Sequence, residues 1–285
     1  TINRGVINVG SFAFFECYAI KDISICSTVT SIGDAAFLGC CGIKSITLPN
    51  NVAVICNSVF AGCDGLEEIV LSNSVTRIEF GAFQGCKSLK NITIPDTVTY
   101  IGSEVFRECL NLTNITLPFG ITEINSGLFS GCYKLANVFI PTSVTTVGNL
   151  AFTYCKSLEK IDIPLSVTSF GATPFYGCNN LTRINYSGTR YQWHNQVTGC
   201  QDCFNTGAKE GTLSSVIVYC TDGYITSAYD GLYPPDYHPG DLITLSTVSS
   251  EENSIFPSTA TGDDHSFAAS FSGLTPGVSY SVIIS

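Results

Sequence analysis

Methionine is absent from all 285 residues, and the chain opens on TINRGVINVG without an initiator. It is therefore read as a mature or trimmed form, or as a piece of a longer protein. Charge is scarce: 13% of residues are charged, about half the ~25% of an ordinary soluble domain. The polar surface must then be built from Ser, Thr, Asn and Gly, a composition common in extracellular β-rich proteins. Basic residues are the rarer sign, 13 against 23 acidic, for a net charge of −10. That balance argues against the clustered Lys and Arg of a nucleic-acid binder and against a polybasic membrane patch. No run of about 18 apolar residues occurs, so no spanning helix is expected. A removed signal peptide would leave no trace here.

The motifs of catalysis are missing too. No G-x-x-x-x-G-K-[ST] phosphate loop is present. His194, His238 and His265 stand beside no Ser or Cys in a nucleophile motif. Asp263 and Asp264 are far short of a calcium loop and read as a solvated turn. No enzyme activity, cofactor or metal is expected.

What the chain has in abundance is repetition. Phe14, Phe37, Phe60, Phe83, Phe106, Phe129, Phe152 and Phe175 recur every 23 residues, each followed three residues later by a cysteine, from Cys17 to Cys178. A fixed period in the range of about 20–50 residues marks a repeat architecture. In each unit an I-x-I segment such as Ile115–Leu117 alternates with period two, which predicts a short strand. Proline ends it (Pro49, Pro95, Pro118, Pro141, Pro164) because proline cannot continue a ladder. A second extended stretch, V-T-x-I-G, follows. Its Gly (Gly33, Gly102, Gly148, Gly171) is expected to permit a tight bend. The A-F-x-x-C segment should return the chain through one helical or 3₁₀ turn. One coil cannot bury its own apolar face, so the coils must stack into a continuous core with the phenylalanines as an internal spine.

The pattern L-x-x-I-x-I-P-x-x-V-x-x-I-G-x-x-A-F-x-x-C resembles the BspA-like, Treponema-type leucine-rich repeat over about residues 1–186. Tyr186-Ser-Gly-Thr189, Gln192-Trp193 and Cys220-Thr-Asp-Gly223 are similar to the segment that closes such arrays in bacterial members. The resemblance implies a right-handed parallel β-rich solenoid and a cell-surface or secreted protein that binds host or microbial surface components. It carries over no catalytic or ligand-binding residues. The expected division is residues 1–186 for the solenoid, 187–223 for its cap and 224–285 for a small all-β module. In the cap, Trp193 is expected to plug the last coil and Val216–Tyr219 to form a capping strand. The ending G-L-T-P-G-V-S-Y-S-V-I-I resembles the last turn and strand of a fibronectin-III or other immunoglobulin-like domain, with strands expected at Asp241–Val248, Ser266–Phe271 and Ser279–Ile284. At about 60 residues it is short of the ~100 of such a sandwich, so it is truncated, smaller, or completed by another subunit.

The cysteines divide into two groups. Stacked coils put equivalent Cα atoms about 5 Å apart, within disulfide range. Parallel side chains on a straight ladder nevertheless suit S–S geometry poorly, and free cysteine is often buried. Disulfides and metal ligation are the alternatives to a reduced packing column, which is the expected state. Cys26, Cys41, Cys56, Cys200, Cys203 and Cys220 lie outside the column. A disulfide among Cys200, Cys203 and Cys220 is weighed against free thiols, since a lone C-x-x-C is weak evidence for zinc.

Residues flanking the isoleucines of each I-x-I strand must point away from the core. They form two columns: Asp22, Ser45, Glu68, Asn91, Asn114, Asn137, Lys160, Arg183, and Ser24, Thr47, Val70, Thr93, Thr116, Phe139, Asp162, Asn185. Solenoids commonly bind through such a face. The candidate contact residues are Asn91, Thr93, Asn114, Thr116, Asn137, Phe139, Lys160 and Asp162; the alternative is that they are simply good solvent-facing strand residues. Asn91, Asn111, Asn114, Asn180 and Asn185 also begin N-x-[ST] sequons, which matter only in a glycosylating host. The function expected is adhesin-like binding of a protein or glycan. The alternative is a subunit of an extracellular filament: Ile2, Val6 and Val9 already occupy repeat positions, so upstream repeats or a partner should cover the N-terminal edge, and self-association could also use the C-terminal module.

Overall fold

The structure is a computed structural model. It describes residues 1–199 and 216–226, together with strands at 243–247, 255–257 and 280–284. The chain divides into two compact units, Thr1–Ser227 and Ala228–Ser285.

The first unit is a parallel β-solenoid whose coils repeat every 23 residues. The I-x-I segments supply one set of strands: β3 (Ser45–Thr47), β5 (Glu68–Val70), β8 (Asn114–Thr116), β10 (Asn137–Phe139), β12 (Lys160–Ile163) and β14 (Arg183–Tyr186). The V-T-x-I segments supply the other: β1 (Asn8–Val9), β2 (Ser31–Ile32), β4 (Val54–Ile55), β6 (Arg77–Ile78), β7 (Tyr100–Ile101), β9 (Glu123–Ile124), β11 (Thr146–Val147) and β13 (Ser169–Phe170). Pairing within both sets is parallel with a register of one repeat, as in Ile115 against Val138 and Ile55 against Ile78. The first coil joins in through a bridge from Ile2 to Ile25. Alternation sets the burial: Ile46, Ile69, Ile115 and Ile161 are buried while the flanking positions are exposed.

Inside, the phenylalanine spine is a stack. Neighbouring rings from Phe14 to Phe175 lie 5.1–5.8 Å apart between centroids and within 20° of parallel. Each cysteine sits beside it, and the thiols from Cys40 to Cys178 are free. Their role is more specific than filling space. The Sγ of Cys40, Cys63, Cys86, Cys109, Cys132, Cys155 and Cys178 each donates to the carbonyl of the phenylalanine 26 residues earlier, at 2.9–3.3 Å.

The return segment differs from the expected helical turn. It is a pair of tight turns built on left-handed residues in two columns, each with the repeat spacing. One column is Phe12, Ala35, Ser58, Gly81, Glu104, Gly127, Leu150 and Thr173; the other is Glu16, Gly39, Gly62, Gly85, Glu108, Gly131, Tyr154 and Gly177, all with positive φ. No helix can run through two such residues four apart. Coil-to-coil bonds hold the segment instead, as from the Phe60 amide to the Ala82 carbonyl and the Gly62 amide to the Gln84 carbonyl. The glycine after the second strand also differs from expectation. Gly148 has no left-handed φ; a Cβ there would lie 2.7 Å from the Ser126 amide nitrogen of the preceding coil. Close approach explains it, although Cys56, Glu79 and Asn125 hold the same place in other coils.

Beyond the last coil comes α1 (Arg190–Gln196), started by a capping box between Thr189 and Gln192. It places Trp193 against Phe170 at 5.8 Å and Tyr186 at 5.0 Å, and buries it. The strand β15 (Ile217–Cys220) pairs parallel with β14 and extends the I-x-I sheet, and β16 (Gly223–Thr226) turns back antiparallel. Arg190 ties α1 to this hairpin: its amide donates to Asp222 at 2.8 Å.

The second unit contains β17 (Ile243–Thr247), β18 (Ile255–Pro257) and β19 (Tyr280–Ile284), an antiparallel sheet with β17 in the middle. The expected strand at Ser266–Phe271, and with it His238, Asp263, Asp264 and His265, lies outside the described residues.

Candidate functional site

The eight candidate residues flank the central residues of four successive I-x-I segments, and all are exposed. Period-two alternation requires this: Ile92, Ile115, Val138 or Ile161 between each pair points to the core, so its neighbours cannot. In-register pairing then converts sequence spacing into contact. Asn137 stands opposite Asn114 and Phe139 opposite Thr116 on adjacent strands.

The asparagines are linked across three coils. Asn137 Nδ2 donates to Asn114 Oδ1 at 2.8 Å, Asn114 Nδ2 to Thr113 Oγ1 at 3.0 Å, and Thr113 Oγ1 to Asn91 Oδ1 at 3.4 Å. Such a chain limits the rotamers of each amide and leaves further lone pairs and N–H groups facing water. Thr113, which completes it, escaped the sequence reading because it precedes the alternating pair. Asn91 and Thr93 occupy a segment outside any assigned strand. They line a shallow groove against β5 with Glu67, Glu68, Val70 and Lys90.

Phe139 also has an unforeseen partner. Its ring meets Phe119 edge-on at 5.8 Å, and the two are 48% and 59% exposed. Phe119 follows the proline that ends β8, outside both strand columns, and no periodic signal marks it. Together they make an aromatic step beside the Asn/Thr centre.

Lys160 and Asp162 lie farther along, on β12. Lys160 is paired with Arg183 and Asp162 with Asn185 on β14. Asn185 Nδ2 donates to Asp162 Oδ1, and Arg183 Nε to Asn185 Oδ1. The Arg183 guanidinium lies over the Tyr219 ring, 4.0 Å from its centroid.

Titration behaviour separates the thiols. Burial pushes Cys40 up to about 11 and Cys109 up to about 12. It also raises Cys86, Cys132 and Cys155 well above the ordinary value. Cys26 moves the other way: the Thr28 amide hydrogen-bonds its sulfur, the Thr28 hydroxyl adds to this, and its thiol is lowered. Cys220, half-buried at the end of β15, is a free thiol pushed up to about 12 by burial and by Asp222. Cys200 and Cys203, the other members of the suggested cap disulfide, lie outside the described residues. Among the described residues no three His, Cys, Asp or Glu side chains gather where they could hold a metal ion, and no helix is long and apolar enough to cross a membrane.

The family described as BspA type leucine rich repeat region matches residues 1–113 and 76–197, with six copies. Among solved structures, the chain is similar to the leucine-rich repeat protein TpLRR of T. pallidum, at 31% identity and a TM-score of 0.50, over 63% of this chain and 74% of that one. A leucine-rich cell surface protein of Faecalibacterium prausnitzii A2-165 aligns at 25% identity and a TM-score of 0.41, over 68% of this chain and 73% of that one. No curated protein matches the chain. The repeat spacing, the parallel coils and the family match agree: the chain belongs to the BspA-type leucine-rich-repeat family.

Proposed function

We propose that this chain is an extracellular or cell-surface binding module, adhesin-like, that grips a protein or glycan through the exposed face of its I-x-I strands. The contact residues are Asn91, Thr93, Asn114, Thr116, Asn137, Phe139, Lys160 and Asp162. The observation that carries this reading is the aromatic step of Phe139 and Phe119 beside the linked Asn91–Asn114–Asn137 amides. Exposed aromatic rings next to oriented amides supply apolar area and directional hydrogen bonds, which is what a recognition surface needs. The leucine-rich-repeat solenoid is typically a scaffold for interaction and not for catalysis, and the reading assigns no reaction, cofactor or metal.

Glycan and matrix-protein arrays test the proposal. Binding by the parent chain that falls at least tenfold in the triple variant Asn114→Ala, Asn137→Ala, Phe139→Ala supports it. Undiminished binding in that variant removes this patch. Light scattering at rising concentration separates the module from a filament subunit: a monodisperse monomer supports the binding module, and steady growth in mass supports head-to-tail assembly.

A further inference from the structure

We propose that the C-terminal end of the same strand face holds a separate subsite for a saccharide bearing a carboxylate. It rests on the reading that this face is the binding surface, but on different residues from the Asn/Phe centre.

Four strands, in the order β12, β14, β15 and β16, lie side by side here. Their registers align two rows across one face: Lys160, Arg183 and Ile217, then Asp162, Asn185, Tyr219 and Tyr224. The first row begins with two cations on neighbouring strands, about 4.8 Å apart along the ladder. Like charges directly opposite one another destabilise a sheet. In a chain of net charge −10, with only 13 basic residues, such a pair is unexpected. Among the described residues neither Lys160 nor Arg183 forms an ion pair; Arg4, Lys21, Lys134 and Lys156 share this, but only Lys160 and Arg183 stand directly opposite each other on neighbouring strands, while Lys44, Arg77, Lys87, Lys90, Arg107 and Arg190 each lie 2.8–3.9 Å from a carboxylate. An anion from outside would relieve the repulsion.

Arg183 is also fixed in advance. Asn185 Oδ1 takes its Nε, Tyr219 carries one face of the guanidinium, and Asn185 is itself held by Asp162. The two terminal nitrogens are left to form the paired N–H contacts that match a planar carboxylate. Tyr219 and Tyr224 continue the second row, 6.2 Å apart between centroids, and Tyr224 is 56% exposed. Those rings offer a sugar an apolar face to lie against. Asp162 decides between a saccharide and an acidic peptide. Its carboxylate accepts bonds from hydroxyls, which an acidic saccharide carries beside its carboxylate and a polyglutamate side chain does not. A carboxylate flanked by ring hydroxyls fits this arrangement, and a polyglutamate does not.

Titration calorimetry at low salt, with trigalacturonate, its methyl ester and a hexaglutamate peptide as probes, tests the subsite. Trigalacturonate should bind, with the ester and the peptide each at least tenfold weaker. Arg183→Gln and Lys160→Gln should each cost about tenfold and Tyr224→Ala several-fold. Phe80→Ala, at an exposed ring outside the I-x-I strands, should leave the affinity unchanged, and thermal midpoints should confirm that every variant is folded. No binding of trigalacturonate, an ester that binds equally, a peptide that binds as tightly, or an affinity indifferent to Arg183→Gln would each overturn the subsite. Loss of array binding in the Asn114/Asn137/Phe139 variant, together with no calorimetric binding of trigalacturonate, would leave the wider binding role standing while this subsite falls.

Discussion

The Cys63 thiol donates to the carbonyl of Phe37, 26 residues earlier in the chain, at 3.2 Å. That carbonyl also accepts the amide of Cys40 in its own coil, at 3.1 Å. One buried oxygen thus joins two coils, with both lone pairs in use. The arrangement recurs up the solenoid and explains why the position holds a small residue with a donor at its tip.

Volume and donor can be separated at Cys109. Cys109→Ala leaves a small void and removes the bond to Phe83, so it should cost about 1–3 kcal/mol. Cys109→Val keeps most of the volume and should lose less. Denaturant midpoints for the two variants give the comparison, and equal losses would show that the volume of the sulfur contributes nothing.

Thiol reactivity should divide along the same line. Native chain treated briefly with iodoacetamide at about pH 8 and mapped by mass spectrometry should carry label at exposed Cys41 and at Cys26, whose thiol is lowered by Thr28. The buried column from Cys63 to Cys178 should label only on unfolding. Early labelling of Cys86 or Cys109 would contradict the buried ladder.

The column also makes the fold sensitive to alkali. In the unfolded chain a thiol ionises near its ordinary value of 9.0; in the native chain Cys109 does so at about 12. Between those values the unfolded state binds fewer protons, so stability is fully present below about pH 9 and is lost as pH rises toward the native value. Each of Cys86, Cys109, Cys132 and Cys155, whose thiols burial raises, contributes a slope of about 1.4 kcal/mol per pH unit in that range. Unfolding midpoints measured from pH 7 to 11 should fall steadily above about pH 9, and a flat profile would count against buried, protonated cysteines.

The left-handed columns predict opposite effects of glycine. Leu150 sits at φ 55° with 45% exposure, and Gly62 at φ 65°. Leu150→Gly should stabilise by about 1 kcal/mol and Gly62→Ala should cost a similar amount. The two thermal midpoints should move in opposite directions.

Much of this architecture is legible in the residues. The Phe and Cys spacing marks the coils, the I-x-I alternation marks the strands, and exposure of Asn114, Asn137 and Phe139 follows from period two alone. What escaped has identifiable causes. Glu104, Leu150 and Tyr154 adopt left-handed backbone although no turn residue stands there, because coil-to-coil hydrogen bonds override local preference. Thr189-x-x-Gln192 is a capping box and could have announced α1. Phe119 could not have been paired with Phe139 from spacing, since they belong to different positions of different coils. The Cys-to-Phe bond spans 26 residues, one repeat plus a turn, and appears only when coils are superposed.

The coil-to-coil bonding has a further consequence for how such a chain can change its length. Every coil presents to the next the carbonyl, ring and strand edge that it received from the one before. A duplicated or deleted block of 23 residues, cut at any phase, therefore rejoins matching surfaces, whereas a block of another size breaks the Phe stack and both strand registers at once. Reach can then vary by whole coils while the ends, and whatever they are attached to, stay as they are.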